Sequence, residues 1–313
     1  MTALYLSIEL ILMIGVGFVV WRLGLVDEKF DESLTSFIIN ISLPCMIIKS
    51  FDAPFSIQDL NNCLILLLIS VVVLGLSFGI GQICYKLCRG GYSGRIMRFG
   101  VMFTNFTFVG MPVVEQLYGQ TGLLYFVVFI VPMRMVYYSA AKPLLSPPGI
   151  EFEKESVWQH IKGWLSPPVI AVFIGLALYI SQIRLPVVVD DTISGIGSVC
   201  SPLGMILCGL SLGKHKLGML MNVRYLRLPL LRNFLMPALT IALLYFLPLD
   251  PMVAKVVVIF SALPVASLLA AFTIQYDPEP GARLESAGSV LFSIIACAVT
   301  IPLWAYMADI LFV

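Results

Sequence analysis

An arginine within an apolar segment is the residue that most strongly indicates chemistry in this sequence. Arg134 lies near the middle of the apolar run 121–144, two residues after Pro132 and one helical turn before Tyr138. A buried charge among apolar residues is costly, so it is a functional candidate, and the planar guanidinium suits a carboxylate. We expect Arg134 and Tyr138 to bind a carboxylate group. The alternative is a structural ion pair between Arg134 and Glu115 or another acid.

Two apolar segments interrupted by proline contain the other candidate ligands. Segment 97–118 includes Pro112, and segment 252–275 includes Pro264. Proline removes a helical hydrogen bond, and in lipid the freed backbone groups persist only where protein or water covers them. If the segments unwind and cross, partially positive helix N-termini face a bound anion. The alternative is that the prolines only kink packed helices. The predicted binding residues of these segments are Thr104, Asn105, Phe106, Met111, Pro112, Ser261, Leu263, Pro264 and Val265.

A coupling ion would need oxygen ligands near the same prolines. Glu115 follows Pro112 by three residues and could carry a proton if burial favours its neutral form, or it could face the outer surface. Thr107 and Ser267 add neutral oxygens. The seven cysteines and two histidines form no metal-ligand pattern, and no glycine-rich phosphate loop occurs. We therefore expect no metal, no cofactor and no step driven directly by ATP.

The composition defines the kind of protein that must position these residues. Of the 313 residues 59% are hydrophobic and 12% are charged, and the mean hydropathy is +0.98. A soluble domain carries roughly 45–50% apolar and about 25% charged residues. These values exclude a secreted enzyme and a disordered regulator, and the net charge of +1 gives no reason to expect a nucleic-acid partner. The chain is predicted to be an all-α polytopic membrane protein in the lipid bilayer.

Ten apolar segments are long enough to span a bilayer, and the basic residues between them indicate their orientation. Fourteen Lys and Arg residues fall in the odd-numbered connections and three in the even-numbered ones, which predicts that both termini lie outside the cell membrane. Arg232 is expected to extend to the cytoplasmic interface. The predicted spans are 4–24, 33–51, 62–86, 97–118, 121–144, 165–183, 192–212, 227–248, 252–275 and 285–312.

The two halves of the chain share landmarks. Residues 1–145 form a predicted first repeat of five spans, residues 146–164 a charged cytoplasmic linker, and residues 165–313 a second repeat. Because five is odd, the second copy must enter the membrane upside down, which is the inverted repeat of many secondary transporters. The paired prolines of the two halves are Pro44 and Pro202, Pro112 and Pro264, and Pro132 and Pro302.

The chain contains the motifs Asn105-x-x-Phe108-x-Gly110-x-Pro112, Leu117-Tyr118-Gly119, Ser42-Leu43-Pro44 and Ala262-Leu263-Pro264. Together these motifs resemble one family, the auxin efflux carriers. This family includes the plant PIN proteins and short bacterial members described as malonate or malate permeases. The resemblance implies a homodimer with the fold of sodium/bile-acid symporters, in which spans 1, 2, 6 and 7 form a scaffold. Spans 3–5 and 8–10 would form a mobile core that moves as an elevator.

These observations predict a secondary carrier for small organic anions. The substrate would lie between the crossing spans 4 and 9 and a facing wall that includes Asn40 and Pro44. A dicarboxylate such as malonate or malate is the first expectation, and an indole-type carboxylate such as auxin is the second. Because span 9 has no carboxylate at the crossing, proton coupling or potential-driven uniport is slightly preferred over sodium. The rival hypothesis is a membrane sensor that binds the ligand without turnover; an enzyme is not expected.

Overall fold

The computed structural model describes the backbone of residues 2–148, 166–214 and 222–313, with side chains except at 2–7, 10, 28 and 138. From residue 149 onward, the predicted linker 146–164 lies outside the described residues, and so does the side chain of Tyr138. The described chain is helical apart from connections and one isolated β-bridge. Its α-helices are α1 Thr2–Arg22, α2 Glu28–Phe37, α3 Leu43–Ser50, α4 Ile57–Leu87, α5 Tyr92–Met102, α6 Met111–Leu145, α7 Pro167–Ser181, α8 Val187–Ser198, α9 Cys200–Gly213, α10 Arg227–Leu230, α11 Met236–Leu244, α12 Pro251–Ala262, α13 Leu269–Tyr276 and α14 Pro280–Leu311.

Several helical segments are long and apolar enough to cross a membrane. Within the described residues six such segments reach the required length, and three shorter apolar helices accompany them. The chain is therefore a multi-pass membrane protein, as its composition predicted. The long segments are Lys29–Ser50, Ile57–Leu87, Phe106–Tyr137, Val187–Gly213, Val223–Leu244 and Pro280–Leu311, and the shorter ones are Ile11–Arg22, Pro167–Ser181 and Pro251–Ala262.

Three prolines are accommodated by wide helical turns and do not interrupt their helices. Pro44, Pro112 and Pro237 each occupy the second position of an α-helix that directly follows a π-helical turn. In each case the residue before the proline donates its backbone N–H to the carbonyl five residues back. The wider turn makes room for the proline ring, so the helix continues through it. The backbone is therefore not unwound at these three prolines.

Gly119 produces a kink in α6, between the spans that the sequence predicted at 97–118 and 121–144. Its φ of 64° and ψ of −157° interrupt α6, in a conformation open to glycine but strained for other residues. The chain therefore turns at Gly119 and continues as the helix that carries Arg134.

The centre of the bundle is α12, which is buried on every side. Almost all its side chains from Val253 to Ala262 are inaccessible to solvent, and Phe260 packs against Phe126 and Phe129 of α6. A helix that is apolar all round belongs in the middle of a bundle. Helix α12 consequently brings its C-terminal end into the protein interior, beside α6.

Candidate functional site

Two interruptions of the helices meet in the middle of the protein. Helix α5 ends at Met102, and the backbone is extended at Phe103 before helical structure resumes at Phe106. Helix α12 ends at Ala262 and α13 begins at Leu269. Both interruptions fall in segments for which the sequence predicted breaks, although the break in the first lies several residues before Pro112.

The two interrupted segments cross and pair through their backbones. Thr104 and Val265 form an antiparallel β-bridge. The backbone N–H of Asn105 donates to the carbonyl of Pro264 at 2.8 Å, and the N–H of Ala266 donates to the carbonyl of Phe103 at 3.3 Å. The backbone N–H and C=O groups that the interruptions expose thus hydrogen-bond to one another. This pairing is needed because no water is available to them inside a bilayer.

Asn105 connects the crossing to three parts of the structure. Its Oδ1 accepts from the backbone N–H of Phe108 at 3.2 Å, which caps the helical segment that starts there. Its Nδ2 donates to Oγ of Ser267 at 2.6 Å, across the crossing. The same amide lies 3.4 Å from Sγ of Cys208, on α9. Asn105 therefore determines how the two interruptions and α9 fit together.

A small cavity lies where the helices resume after the crossing. Its volume is about 30 Å³, enough for about two or three water molecules or one carboxylate group. Residues from both interrupted segments line it together with the middle of α6. The lining comprises Ile39, Thr104, Asn105, Phe106, Thr107, Phe108, Arg134, Tyr137, Ala266, Ser267 and Leu268.

Arg134 brings a positive charge to this cavity. Its side chain is only 7% exposed, its Nη2 donates to Oγ1 of Thr107 at 3.3 Å, and its guanidinium lies 5.2 Å from the ring centre of Phe106. The helical segments that resume at Phe106 and Leu269 also direct their partially positive N-terminal ends to this region. Arg134 and these helix ends thus contribute positive charge to the lining of the cavity.

The hydroxyl of Thr104 lacks a hydrogen-bond partner within the described structure. The residue is 2% exposed and lines the cavity, so its Oγ1 is a buried polar atom available to a ligand or to water. Tyr137 adds an aromatic surface, since its ring packs edge-on against the rings of Phe103 and Phe106, with centroid distances of 5.1 and 5.7 Å. The cavity thus combines cationic, hydroxyl and aromatic surfaces.

Other predicted binding residues surround the crossing without lining the cavity. Met111 and Pro112 lie in the first turn of α6, and Leu263 is buried against Gly110. Ser261 exchanges a hydrogen bond of 2.7 Å with Thr240. Pro264 and Val265 contribute through their backbones, in the pairing described above.

The predicted coupling and wall residues occupy separate places. Glu115 is partly buried in α6 and does not line the cavity. Asn40 is exposed and donates to the carbonyl of Ser36 at 2.9 Å. Pro44 lies at the start of α3. The residue of this segment that does line the cavity is Ile39, which sequence analysis did not identify.

Arg232 does not extend to an interface, contrary to the expectation from sequence. It is completely buried, and its guanidinium donates to the carbonyls of Val101 at 2.9 Å and Phe260 at 3.2 Å. Its neighbour Asn233 bonds to Ser293, which in turn accepts from the backbone N–H of Val265 at 2.9 Å. The polar pair Arg232-Asn233 inside an apolar run was the signal for this support of the crossing.

A second, larger cavity contains charged side chains of both signs. It has a volume of about 440 Å³, and its lining includes Lys49, Asp52, Arg184 and Asp190. Lys49 pairs with Asp52 at 2.6 Å and with Asp190 at 2.8 Å, so its charge is neutralised locally. Arg184 is exposed in the turn after α7. The smaller cavity at the crossing is therefore the better candidate for an anion.

Sequence comparisons agree with a membrane protein of this kind. A family model described as "Membrane transport protein" matches residues 3–305. An "Uncharacterized transporter" of Methanothermobacter thermautotrophicus is 25% identical over 315 residues, which cover 95% of this chain and 96% of that protein. The "Uncharacterized transporter YfdV" of Escherichia coli K12 is 21% identical over 309 residues, or 96% of each chain. The chain therefore belongs to the membrane transport protein family, that of the auxin efflux carriers indicated by its motifs, and it is a transporter.

Proposed function

We propose that this transporter is a secondary carrier of small organic anions that binds their carboxylate group at the crossing. One observation carries the proposal: Arg134 and the N-terminal ends of two helical segments converge on a single cavity. Arg134 would neutralise the carboxylate, and the free hydroxyl of Thr104 would donate to one of its oxygens.

The shape of the cavity limits how a substrate binds. A volume of about 30 Å³ accepts a carboxylate group but not a complete organic acid. The remainder of the substrate would extend beyond this volume, towards the wall that includes Ile39. Phe106 and Tyr137 would then contact the organic part.

The architecture proposed for the carrier is that of ten spans in two inverted repeats, with both termini outside the cell membrane and two copies forming a dimer. The cavity supports an elevator movement because it lies where the proposed scaffold and core meet. Ile39 belongs to scaffold span 2 and Cys208 to scaffold span 7, whereas Asn105, Arg134 and Ser267 belong to the core. A substrate held by the core would travel with it.

The substrate class we favour is a dicarboxylate such as malonate or malate, and an auxin-like indole carboxylate is second. The guanidinium of Arg134 suits a carboxylate of either class, and the aromatic side chains suit an indole ring. For coupling we favour a proton or the membrane potential over sodium. Glu115, Thr107 and Ser267 are the candidate coupling residues.

The rival function is a sensor that binds the same anions without transporting them. Counterflow in proteoliposomes distinguishes the two: vesicles loaded with unlabelled malonate, malate or indole-3-acetate should accumulate the labelled compound in a saturable manner. Arg134→Ala should abolish this uptake. Binding of an anion without any flux would favour the sensor, and uptake that is unaffected by Arg134→Ala would contradict the proposed site.

A further inference from the structure

Arg232 contacts both interrupted helices at once. Val101 is one of the last residues of α5, and Phe260 is one of the last residues of α12, so the guanidinium bonds to a carbonyl at the C-terminal end of each. None of the described carboxylates lies within ion-pair distance of Arg232. Its partners are backbone dipoles.

The charge of Arg232 matches the charge of those two helix ends. The last carbonyls of a helix have no partner within it, and they carry a partial charge of about −0.5. Two such ends in a dry interior amount to about −1, which one guanidinium balances. Helix C-terminal ends and unwound carbonyls are also the groups that coordinate a coupling cation in transporters with broken helices.

We propose that Arg232 is the fixed cation of this crossing, held where a carrier of this architecture would otherwise bind a metal cation. The anion site at the crossing would then be formed without sodium. Arg232 is a positioning residue in this account, because it acts through the two helix ends and does not touch the substrate. The part of the inference that concerns anion affinity rests on the function proposed above, whereas the part that concerns the helix ends does not.

The first experiment uses the wild-type chain alone. Its thermal unfolding midpoint is measured in sodium, potassium and choline chloride at equal ionic strength, with and without malonate or indole-3-acetate. We expect the midpoints, and any shift that the carboxylates cause, to be the same in the three salts. Specific stabilisation by sodium, or a carboxylate shift that requires sodium, would overturn the proposal.

The second experiment separates charge from packing. Arg232→Ala leaves a space that either guanidinium or its neutral analogue urea can enter, each at low millimolar concentration. We expect a lowered midpoint that guanidinium partly restores and urea does not, and an affinity for the carboxylate that falls about tenfold or more. Equal rescue by urea would overturn the charge role, and so would an unchanged midpoint.

A third variant keeps the inference testable if Arg232→Ala does not fold. Arg232→Lys retains the charge, so its midpoint should remain independent of sodium even though it loses one of the two hydrogen bonds. Sodium dependence in Arg232→Lys would contradict the proposal. If no carboxylate shifts the wild type in any salt, the proposed function fails, while the salt and rescue results without ligand still decide the role of Arg232.

Discussion

At the scale of single residues, Thr104 gives the clearest separation between stability and binding. Thr104→Val keeps the side-chain shape and removes a buried hydroxyl that has no partner in the described protein. The free energy of unfolding without ligand should stay the same or rise by up to about 1–3 kcal/mol, because an unsatisfied polar group disappears. The affinity for a carboxylate should fall. Thermal unfolding and ligand titration of the purified variant measure both, and lowered stability with unchanged affinity would refute the assignment.

The same scale shows which residues could be found from sequence. Arg134 was identifiable because a charge in an apolar run is costly wherever it lies. Tyr137, which the sequence analysis did not name, lines the cavity, because side-chain direction depends on how α6 turns after Gly119. The side chain of Tyr138 lies outside the described structure, so its role stays a prediction. Arg232 was misassigned because its distance from the helix start does not reveal which helices surround it.

At the scale of the elements, the contact between α1 and α9 depends on two glycines. A Cβ at Gly17 would overlap the carbonyl oxygen of Ile206, and a Cβ at Gly209 would overlap that of Ile14. Gly17→Ala should therefore force the helices apart and destabilise the protein by about 1–3 kcal/mol.

The matched control for this prediction lies two residues away on the same helix. Gly15 has open space where its Cβ would be, so Gly15→Ala should leave stability unchanged or raise it by up to about 1 kcal/mol. Thermal unfolding of both variants in the same detergent provides the comparison. Equal effects of the two substitutions would show that the close contact does not matter.

Element boundaries were predictable only in part. The segments that break were recognisable from their prolines and polar residues, but the position of the first break was not. A π-helical turn accommodates Pro112, and the unwound backbone lies earlier, at Phe103 and Thr104. There it pairs with the segment that follows α12. Such pairing between distant segments leaves no local pattern in a sequence.

At the scale of the whole molecule, the elevator movement predicts that one cross-link stops transport. Sγ of Cys208 lies 3.8 Å from Oγ of Ser267, across the proposed boundary between scaffold and core. Ser267→Cys should form a disulfide with Cys208 under oxidising conditions and block counterflow, and a reductant should restore it. The control is Ser267→Cys combined with Cys208→Ala, which should be insensitive to oxidation. Full transport by the cross-linked protein would exclude sliding at this boundary.

Composition alone was sufficient for the membrane class, because no soluble core can bury so many apolar residues. The repeat and the span count remain predictions from proline spacing and loop charge. They depend on both halves of the chain, and residues 149–165 between them lie outside the described structure.

The measurement that tests the central claim most directly is carboxylate binding to purified protein, detected as a shift of the thermal unfolding midpoint. It is made on the wild type, Arg134→Ala and Arg184→Ala. A ligand at a hundred times its dissociation constant stabilises by about 2.7 kcal/mol, which is easily detected. We predict that a small carboxylate stabilises the wild type and Arg184→Ala equally and has no effect on Arg134→Ala. Stabilisation that survives Arg134→Ala and disappears in Arg184→Ala would move the site to the larger cavity and contradict the account.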